Sequence, residues 1–328
     1  MERLLEVQNL TTTFDTEYGK VTTVEDVYFH INQGETVAIV GESGSGKSVT
    51  ALSIMRLLGK NGKIERGDIL LNGKNLALLR EKDMRSLRGQ ELSMVFQEPM
   101  TALNPLFTIG YQLLEVIRLH LSKKKKEATD LAIDMLEKVG IREPKRVMKQ
   151  YPFALSGGMR QRIVIAMALV CQPKVFIADE PTTALDVTVQ AQIMKLMKQL
   201  CADFNTAILL ITHDLGVVAE MADRVVVMYA GQIVEVADVY TLFGESHHPY
   251  TKGLLESIPS MDFDDKELVS IRGSIPSHYE KLPGCRFANR CSLATERCHS
   301  QVPALIETEP NHLSRCFEWQ KLKEGNGE

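Results

Sequence analysis

The stretch that most constrains this chain is Gly41, Glu42, Ser43, Gly44, Ser45, Gly46, Lys47, Ser48, which follows the apolar run Val37, Ala38, Ile39, Val40. It matches the phosphate-cradling pattern of two glycines, a lysine and a serine at every fixed position. Glycine is needed there because backbone amides must turn inward onto phosphate oxygens, where a Cβ would block the approach. The apolar run predicts a buried strand, and Ser48 to Leu58 predicts a helix whose amino end favours negative charge. Lys47 is expected to reach the β- and γ-phosphates and the Ser48 hydroxyl to hold Mg²⁺, with Gly41, Ser43, Gly44, Ser45, Gly46 and Val49 lining the rest of the cradle. The loop therefore predicts a site for a nucleoside triphosphate.

At 328 residues the chain exceeds one typical core, which points to a main domain and an appendage. A hydrophobic share of 44%, a charged share of 24% and a net charge of -4 match an ordinary globular protein and give no sign of a nucleic-acid partner. The longest apolar run, Ile163 to Cys171, is about half the roughly eighteen residues that a bilayer demands. Met1 to Val7 has no basic segment followed by a long apolar core, so the expected compartment is the cytosol.

Short apolar runs at Leu4 to Val7, Val27 to Ile31 and Thr36 to Val40, separated by turn signals, suggest an antiparallel β edge feeding the phosphate loop. Phe14 or Tyr18 could stack on a purine base, and an aromatic residue packed within a strand serves equally well at either position. Gly67 to Gly73 and Ser93 to Phe96 read as further strands, the latter leading to Gln97. From about 99 to 167 the spacing is helical, with Ile109, Leu113, Leu114, Ile117 and later Leu131, Met135, Leu136, Val139, as in a helical subdomain inserted into an α/β core. Lys123 to Lys126 reads as a solvated tip between helices. Strands at Val175 to Ala178, Ala207 to Ile211, Val225 to Met228 and Gln232 to Val236 alternate with helical stretches, which implies a largely parallel sheet covered on both faces.

The strand at Val175 ends in Asp179 and Glu180. Phosphoryl transfer needs one acid to hold Mg²⁺ and another to orient or deprotonate the attacking water, and these two fit those roles once a phosphate loop lies upstream. His213, also at a strand end, could contact the γ-phosphate.

Leu155, Ser156, Gly157, Gly158, Met159, Arg160, Gln161 resembles the signature sequence of ATP-binding cassette (ABC) ATPases, and it stands between the phosphate loop and Asp179 as that family requires. Gln97 resembles the Q-loop glutamine, Ala184, Leu185, Asp186 the D-loop, and His213 the switch histidine. The resemblance implies an ABC-type P-loop fold with an antiparallel β subdomain, an inserted helical subdomain and a small cysteine-containing extension. It implies two cassettes closing head to tail, so that Ser156, Gly157 and Gly158 of one complete the site over the phosphate loop of the other. It makes Glu180 the general base, gives Asp179 to Mg²⁺, and has Gln97 link nucleotide to a membrane partner, with Gln97 and Ser48 also beside the metal. Asp186 joins the same site.

Glu98 to Pro105 after Gln97, the triplet His248, Pro249, Tyr250, and the tail from Pro283 to Cys291 resemble importers of oligopeptides, dipeptides and nickel. That branch implies an ATPase domain at 1–245 and an extension at 246–328. It also implies a second, related but non-identical cassette, two integral membrane permease subunits, an extracytoplasmic binding protein acting indirectly, and a place on the cytoplasmic face of the membrane. The cargo stays open between short peptides, nickel and a metal chelate. A soluble ABC ATPase is the more distant alternative.

Of six cysteines, Cys171 and Cys201 sit in apolar, helix-like surroundings and read as core. Cys285, Cys291, Cys298 and Cys316 crowd the end of the chain without the two-residue spacing of zinc ribbons or ferredoxins. Four thiolates suit Zn²⁺ or a [4Fe–4S] cluster, reversible disulfides and free thiols being the other readings, and the resemblance to the dipeptide branch implies the iron–sulfur cluster.

Overall fold

The computed structural model describes residues 3–96, 102–182, 186–257 and 271–324. Gln97 therefore lies outside the described residues, with 98–101 of the segment after it and Ala184 and Leu185 of the D-loop. In chain order the structure begins β1 (Arg3–Thr16), β2 (Gly19–Asn32), β3 (Thr36–Val40), α1 (Lys47–Ile54), β4 (Gly62–Leu71), β5 (Lys74–Asn75), α2 (Glu81–Leu87) and β6 (Leu92–Val95). The helical stretch follows as α3 (Ile109–Leu121), α4 (Lys125–Lys138), α5 (Pro144–Val147) and α6 (Gly157–Leu169). Alternation then resumes with β7 (Val175–Asp179), α7 (Val187–Asp203), β8 (Ala207–Ile211), α8 (Leu215–Met221), β9 (Arg224–Tyr229) and β10 (Gln232–Asp238). The chain closes with α9 (Val239–Gly244), α10 (Pro249–Glu256), α11 (Glu296–Ser300), β11 (Ile306–Glu309), β12 (His312–Ser314) and α12 (Trp319–Glu324).

Two compact units arise, one from residues 1–5, 31–36 and 78–210, the other from 6–30, 37–77 and 211–328. In the first, strands run β8-β7-β6 and β6 pairs β7 in parallel, Leu92 facing Val175 and Val95 facing Ala178. Every residue of β7 is buried, as befits a strand covered on both faces. Helices α3, α4 and α6 pack on one another. Thr108 opens α3 by accepting from Tyr111 N at 3.3 Å, and Ser122 closes it in the left-handed region at φ 50°. Lys123 to Lys126 are all exposed, but the last two already belong to α4 rather than to a loop tip.

In the second unit one sheet runs β2-β1-β4-β5 and another run of strands is β11-β12-β10-β9-β3. Strand β3 pairs β9 in parallel, Val37 with Arg224 through Val40 with Val227, and all five β3 residues are buried. Burying its Val and Ile side chains contributes about 1.5–3 kcal/mol each, which anchors the strand that delivers the phosphate loop. Strands β9 and β10 are antiparallel across a turn at Ala230 (φ 47°) and Gly231 (φ 80°).

Strands β1 and β2 are 14 residues each, longer than the apolar runs suggested. They continue past Asn9 (φ 50°) and Asp26 (φ 52°), where the apolar alternation breaks, because Asn9 Nδ2 donates to Asp26 Oδ1 at 2.9 Å. The end of the chain also returns to the sheet: β12 pairs β10 with Ser314 opposite Glu235, covering an edge that would otherwise stay open. Cys171 and Cys201 are buried, as expected of core residues.

Candidate functional site

The loop after β3 turns through Gly41 (φ 148°), Gly44 (φ 83°) and Gly46 (φ 101°). Its glycines are needed for different reasons. A Cβ on Gly41 would lie 2.2 Å from Met228 O and one on Gly46 3.1 Å from Thr23 O, whereas at Gly44 nothing lies within 4 Å and only the backbone angle demands glycine. The loop is tied to the β9–β10 turn, where Gly231 N donates to Ser45 O at 2.9 Å.

Helix α1 has Gly46 at its N-cap, so no N-cap side chain covers the amino end of the helix. Lys47 is 6% exposed and its Nζ donates to Gly41 O at 2.7 Å and Glu42 O at 2.9 Å, which pins the ammonium over the loop. Ser45 Oγ is buried with no hydrogen-bond partner. An ammonium, uncapped helix amides and an orphaned hydroxyl on one glycine turn make a cradle for a multiply charged anion. Ser48 and Val49 lie in the first turn of α1, where sequence placed them. Phe14 is half-buried with its ring against Gly62, whose added Cβ would come within 2.7 Å of Phe14 Cε1, while Tyr18 is 95% exposed.

Sequence reasoning missed two side chains that hold this loop from the far end of the chain. Tyr250 Oη accepts from Glu42 N at 2.8 Å, and Arg290 Nη1 donates to Glu42 Oε2 at 3.0 Å. Burial pushes the Tyr250 hydroxyl well above the usual phenol range, so it stays protonated. Arg290 also reaches Tyr229 Oη at 3.3 Å. In sequence Tyr250 stood out only as part of the importer-like triplet and Arg290 only as a basic residue; their shared target, Glu42, was not visible.

The other described residues expected at the nucleotide fall in the first unit, except His213, which is exposed just beyond β8 in the second. Asp179 ends β7 with 5% exposure, and Glu180 follows at φ 46°. A non-glycine residue there is held at a cost of about 1–2 kcal/mol, a kind of strain that clusters at functional positions. Ser156 is the N-cap of α6, its Oγ accepting from Met159 N at 3.3 Å, and Gly157 and Gly158 form the first turn. Gly158 is tightly placed, since a Cβ there would press on Val189 Cγ1 at 3.1 Å and that methyl would have to give by a few tenths of an ångström. Asp186 caps α7 by accepting from Val189 N at 2.9 Å. Gln161, another residue sequence did not single out for a role, is fully buried and its Nε2 donates to Pro181 O, which ties the signature helix to the turn after Glu180.

The four clustered cysteines line one cavity with His248 and Phe287. Gly284 permits this, because a Cβ there would lie 2.3 Å from Cys298 O, and Cys285 N donates to that same oxygen at 2.7 Å. Glu318 N points at Cys316 Sγ at 3.4 Å. Burial pushes the Cys291 thiol up to about 11 and Cys316 up to about 12, and raises Cys285 as well. Such thiols need a cation or oxidation to lose their protons.

Residues 24–183 match the ABC transporter family and residues 234–298 the oligopeptide/dipeptide transporter C-terminal region. The chain is 54% identical over 322 residues, 98% of its own length and 98% of the relative's, to the oligopeptide transport ATP-binding protein AppD of Bacillus subtilis. It is 50% identical to the dipeptide transport ATP-binding protein DppD of the same organism, with 97% of this chain and 95% of that one aligned. It is 49% identical to the oligopeptide transport ATP-binding protein OppD of Salmonella typhimurium, over 96% and 93%. Among solved structures, the dimeric post-hydrolysis state of the cassette MJ0796 with ADP and Pi superposes with TM-score 0.64 at 27% identity, covering 72% of this chain and 98% of that one. A phosphate loop built on a buried parallel strand, a signature helix with a serine cap, and near end-to-end likeness to these proteins agree: the chain belongs to the ABC transporter family of ATP-binding proteins, in the group that carries the oligopeptide/dipeptide transporter C-terminal region.

Proposed function

We propose that this chain binds and hydrolyses ATP to drive import of short peptides, residues 1–245 forming the catalytic cassette and 246–328 an appended extension. The observation that carries the nucleotide half is the Lys47 ammonium and the orphaned Ser45 hydroxyl on the glycine turn at the uncapped start of α1. The peptide half rests on end-to-end likeness to peptide-transport ATPases. Gly41, Ser43, Gly44 and Gly46 present amides to the phosphates, Lys47 neutralises them, and Ser48, Asp179 and Gln97 supply the oxygens that would hold Mg²⁺. That ion supplies charge neutralisation at the transferring phosphoryl group. Glu180 takes the proton of the attacking water, His213 orients the γ-phosphate, and Phe14 stacks on the base.

The site is completed in trans: Ser156, Gly157 and Gly158 bring a helix N-terminus to the phosphates of a second cassette, with Asp186 at the seam. The second cassette is a related, non-identical chain. Two membrane permease subunits convert closure into transport, fed by an extracytoplasmic peptide-binding protein, and the chain sits on the cytoplasmic membrane face. Among the described residues no helix is long and apolar enough to cross a membrane.

Cys285, Cys291, Cys298 and Cys316 hold a [4Fe–4S] cluster in this reading. All four line one cavity, and thiols whose protons burial retains become thiolates when a cation takes them up. Anaerobic purification followed by visible absorption and iron and sulfide analysis tests the cluster; colourless protein without iron would overturn it. Vesicles reconstituted with permeases and both cassettes test the function, the expected result being ATP-dependent peptide uptake. Absence of ATP binding and turnover in the full assembly would sink it.

A further inference from the structure

A second set of metal-type donors converges away from both the phosphate loop and the cysteine cavity. His247, in the turn after α9, and Glu309 and His312, on the β11–β12 hairpin, offer ligand atoms that all lie within 4.8 Å of one another. The two imidazoles are stacked, with centroids 3.8 Å apart and planes 6° from parallel. Both are essentially sealed from solvent, at 0% and 1% exposure, with the Trp319 indole 5.1 Å from the His247 ring.

Hydrogen bonds settle which nitrogens carry lone pairs. His312 Nε2 lies 2.7 Å from Glu235 Oε1, and a carboxylate only accepts, so Nε2 carries a proton and, in the neutral ring that a metal takes, Nδ1 is the bare nitrogen. Thr308 Oγ1 donates to His312 O at 3.1 Å and has no second proton, so at 2.8 Å it accepts from His247 Nδ1, leaving His247 Nε2 bare. Those two bare nitrogens, His247 Nε2 and His312 Nδ1, are buried without any hydrogen-bond partner. Buried lone pairs facing no donor are costly, and a pair of them beside a carboxylate is the arrangement a cation relieves.

Charge points the same way. His247 Nε2 is 4.0 Å from Glu309 Oε2 and 4.0 Å from Glu245 Oε1. Lys323 pairs with Glu309 and lies 3.2 Å from Glu245, so one ammonium bridges the two carboxylates that a divalent ion would take. Glu309 is 36% exposed and gives an ion a way in.

We propose that His247 Nε2, His312 Nδ1 and the Glu309 carboxylate form a binding site for a divalent d-block cation of the zinc type, with Glu245 as fourth ligand once Lys323 swings away. Two imidazoles disfavour Mg²⁺ and Ca²⁺, which take oxygen donors. Glu235 and Thr308 are its outer partners, fixing both tautomers as in carboxylate–histidine–metal triads. Imidazole lone pairs lie in the ring plane and these rings stand 6° from parallel, so one ring must turn out of the stack for both nitrogens to meet one ion, the donors closing to about 3.4 Å around bonds near 2.0–2.1 Å. The bound ion would join the hairpin to the turn after α9, a tether independent of the nucleotide reading.

The test is zinc binding by the full chain after chelator treatment, read by equilibrium dialysis and by X-ray absorption at the zinc edge, which separates nitrogen and oxygen ligands from sulfur. One zinc equivalent with nitrogen and oxygen neighbours is expected. His247→Phe, which keeps an aromatic ring in the stack, should lose that equivalent. Thr308→Val should weaken it about 10–100-fold, the range for an outer partner, and Lys323→Met should tighten it severalfold. With Co²⁺ the same site should give visible d–d bands without the near-ultraviolet thiolate charge transfer of a cysteine site. Zinc found only on sulfur, or nitrogen-and-oxygen-ligated zinc bound equally well by the wild type, His247→Phe and Lys323→Met, would overturn the proposal. If His247→Phe fails to fold, Lys323→Met at the rim decides alone.

Discussion

On the proposed roles, Lys47 and Glu180 are single side chains whose removal should separate grip from chemistry. Lys47 Nζ already spans two loop carbonyls, and a triphosphate would replace them with charged oxygens. Charge-assisted hydrogen bonds of that kind are worth about 1.5–3 kcal/mol, so Lys47→Ala should weaken ATP binding by roughly 10- to 150-fold in a fluorescent-nucleotide titration. Glu180→Gln keeps size and hydrogen bonding but removes the carboxylate proposed as the base. Turnover should fall by about 10²–10⁴, with nucleotide affinity within a few-fold of wild type, and equal turnover of the two forms would exclude Glu180 as the base. Both residues were legible in sequence because phosphate chemistry fixes residue type at short spacing. What was not legible is the backbone of Glu180, at φ 46°, because no neighbour in sequence demands that conformation. Gln161 was hidden for a similar reason, since its partner, Pro181 O, lies 20 positions away.

At the scale of elements, α6 carries the signature-like sequence, and its serine caps the helix besides its proposed part in a second cassette's site. Ser156 caps the helix through Met159 N, so Ser156→Ala should cost about 1 kcal/mol of stability, seen as a lower denaturant midpoint. Ser156→Arg adds a long cation where a second cassette would close. ATP binding by the isolated chain should survive and turnover of the assembled pair should vanish; loss of binding would argue against completion in trans. Strands β3, β7, β8 and β9 were readable as apolar runs, being buried almost throughout. The β11–β12 hairpin was not. Ile306 to Glu309 is short and mostly polar, and its place is set by β12 pairing with β10, nearly eighty residues earlier. Asn9 and Asp26 concealed the true length of β1 and β2 in the same manner, through a cross-strand hydrogen bond that replaces a lost apolar position.

Across the molecule, the extension reaches back to the first strands and the phosphate loop. Tyr279 Oη donates to Thr23 O at 3.0 Å, Arg286 pairs with Glu25 and Ala230 O, and Arg290 holds Glu42. Glu42 keeps 28% of its side-chain exposure, so solvent would partly compensate the loss of its partner. Arg290→Met should therefore cost about 1–2 kcal/mol, a fall of roughly 2–8 °C in Tm, and should loosen ATP binding although Arg290 is no part of the phosphate cradle. Unchanged affinity in the folded variant would show the clamp to be purely structural. Arg290 is followed at once by Cys291, one wall of the cysteine cavity, and grips a residue 248 positions upstream. A cassette trimmed of its tail to simplify biochemistry would lose both that guanidinium and the Tyr250 hydroxyl from Glu42, and should be a different engine, with a slacker hold on its triphosphate.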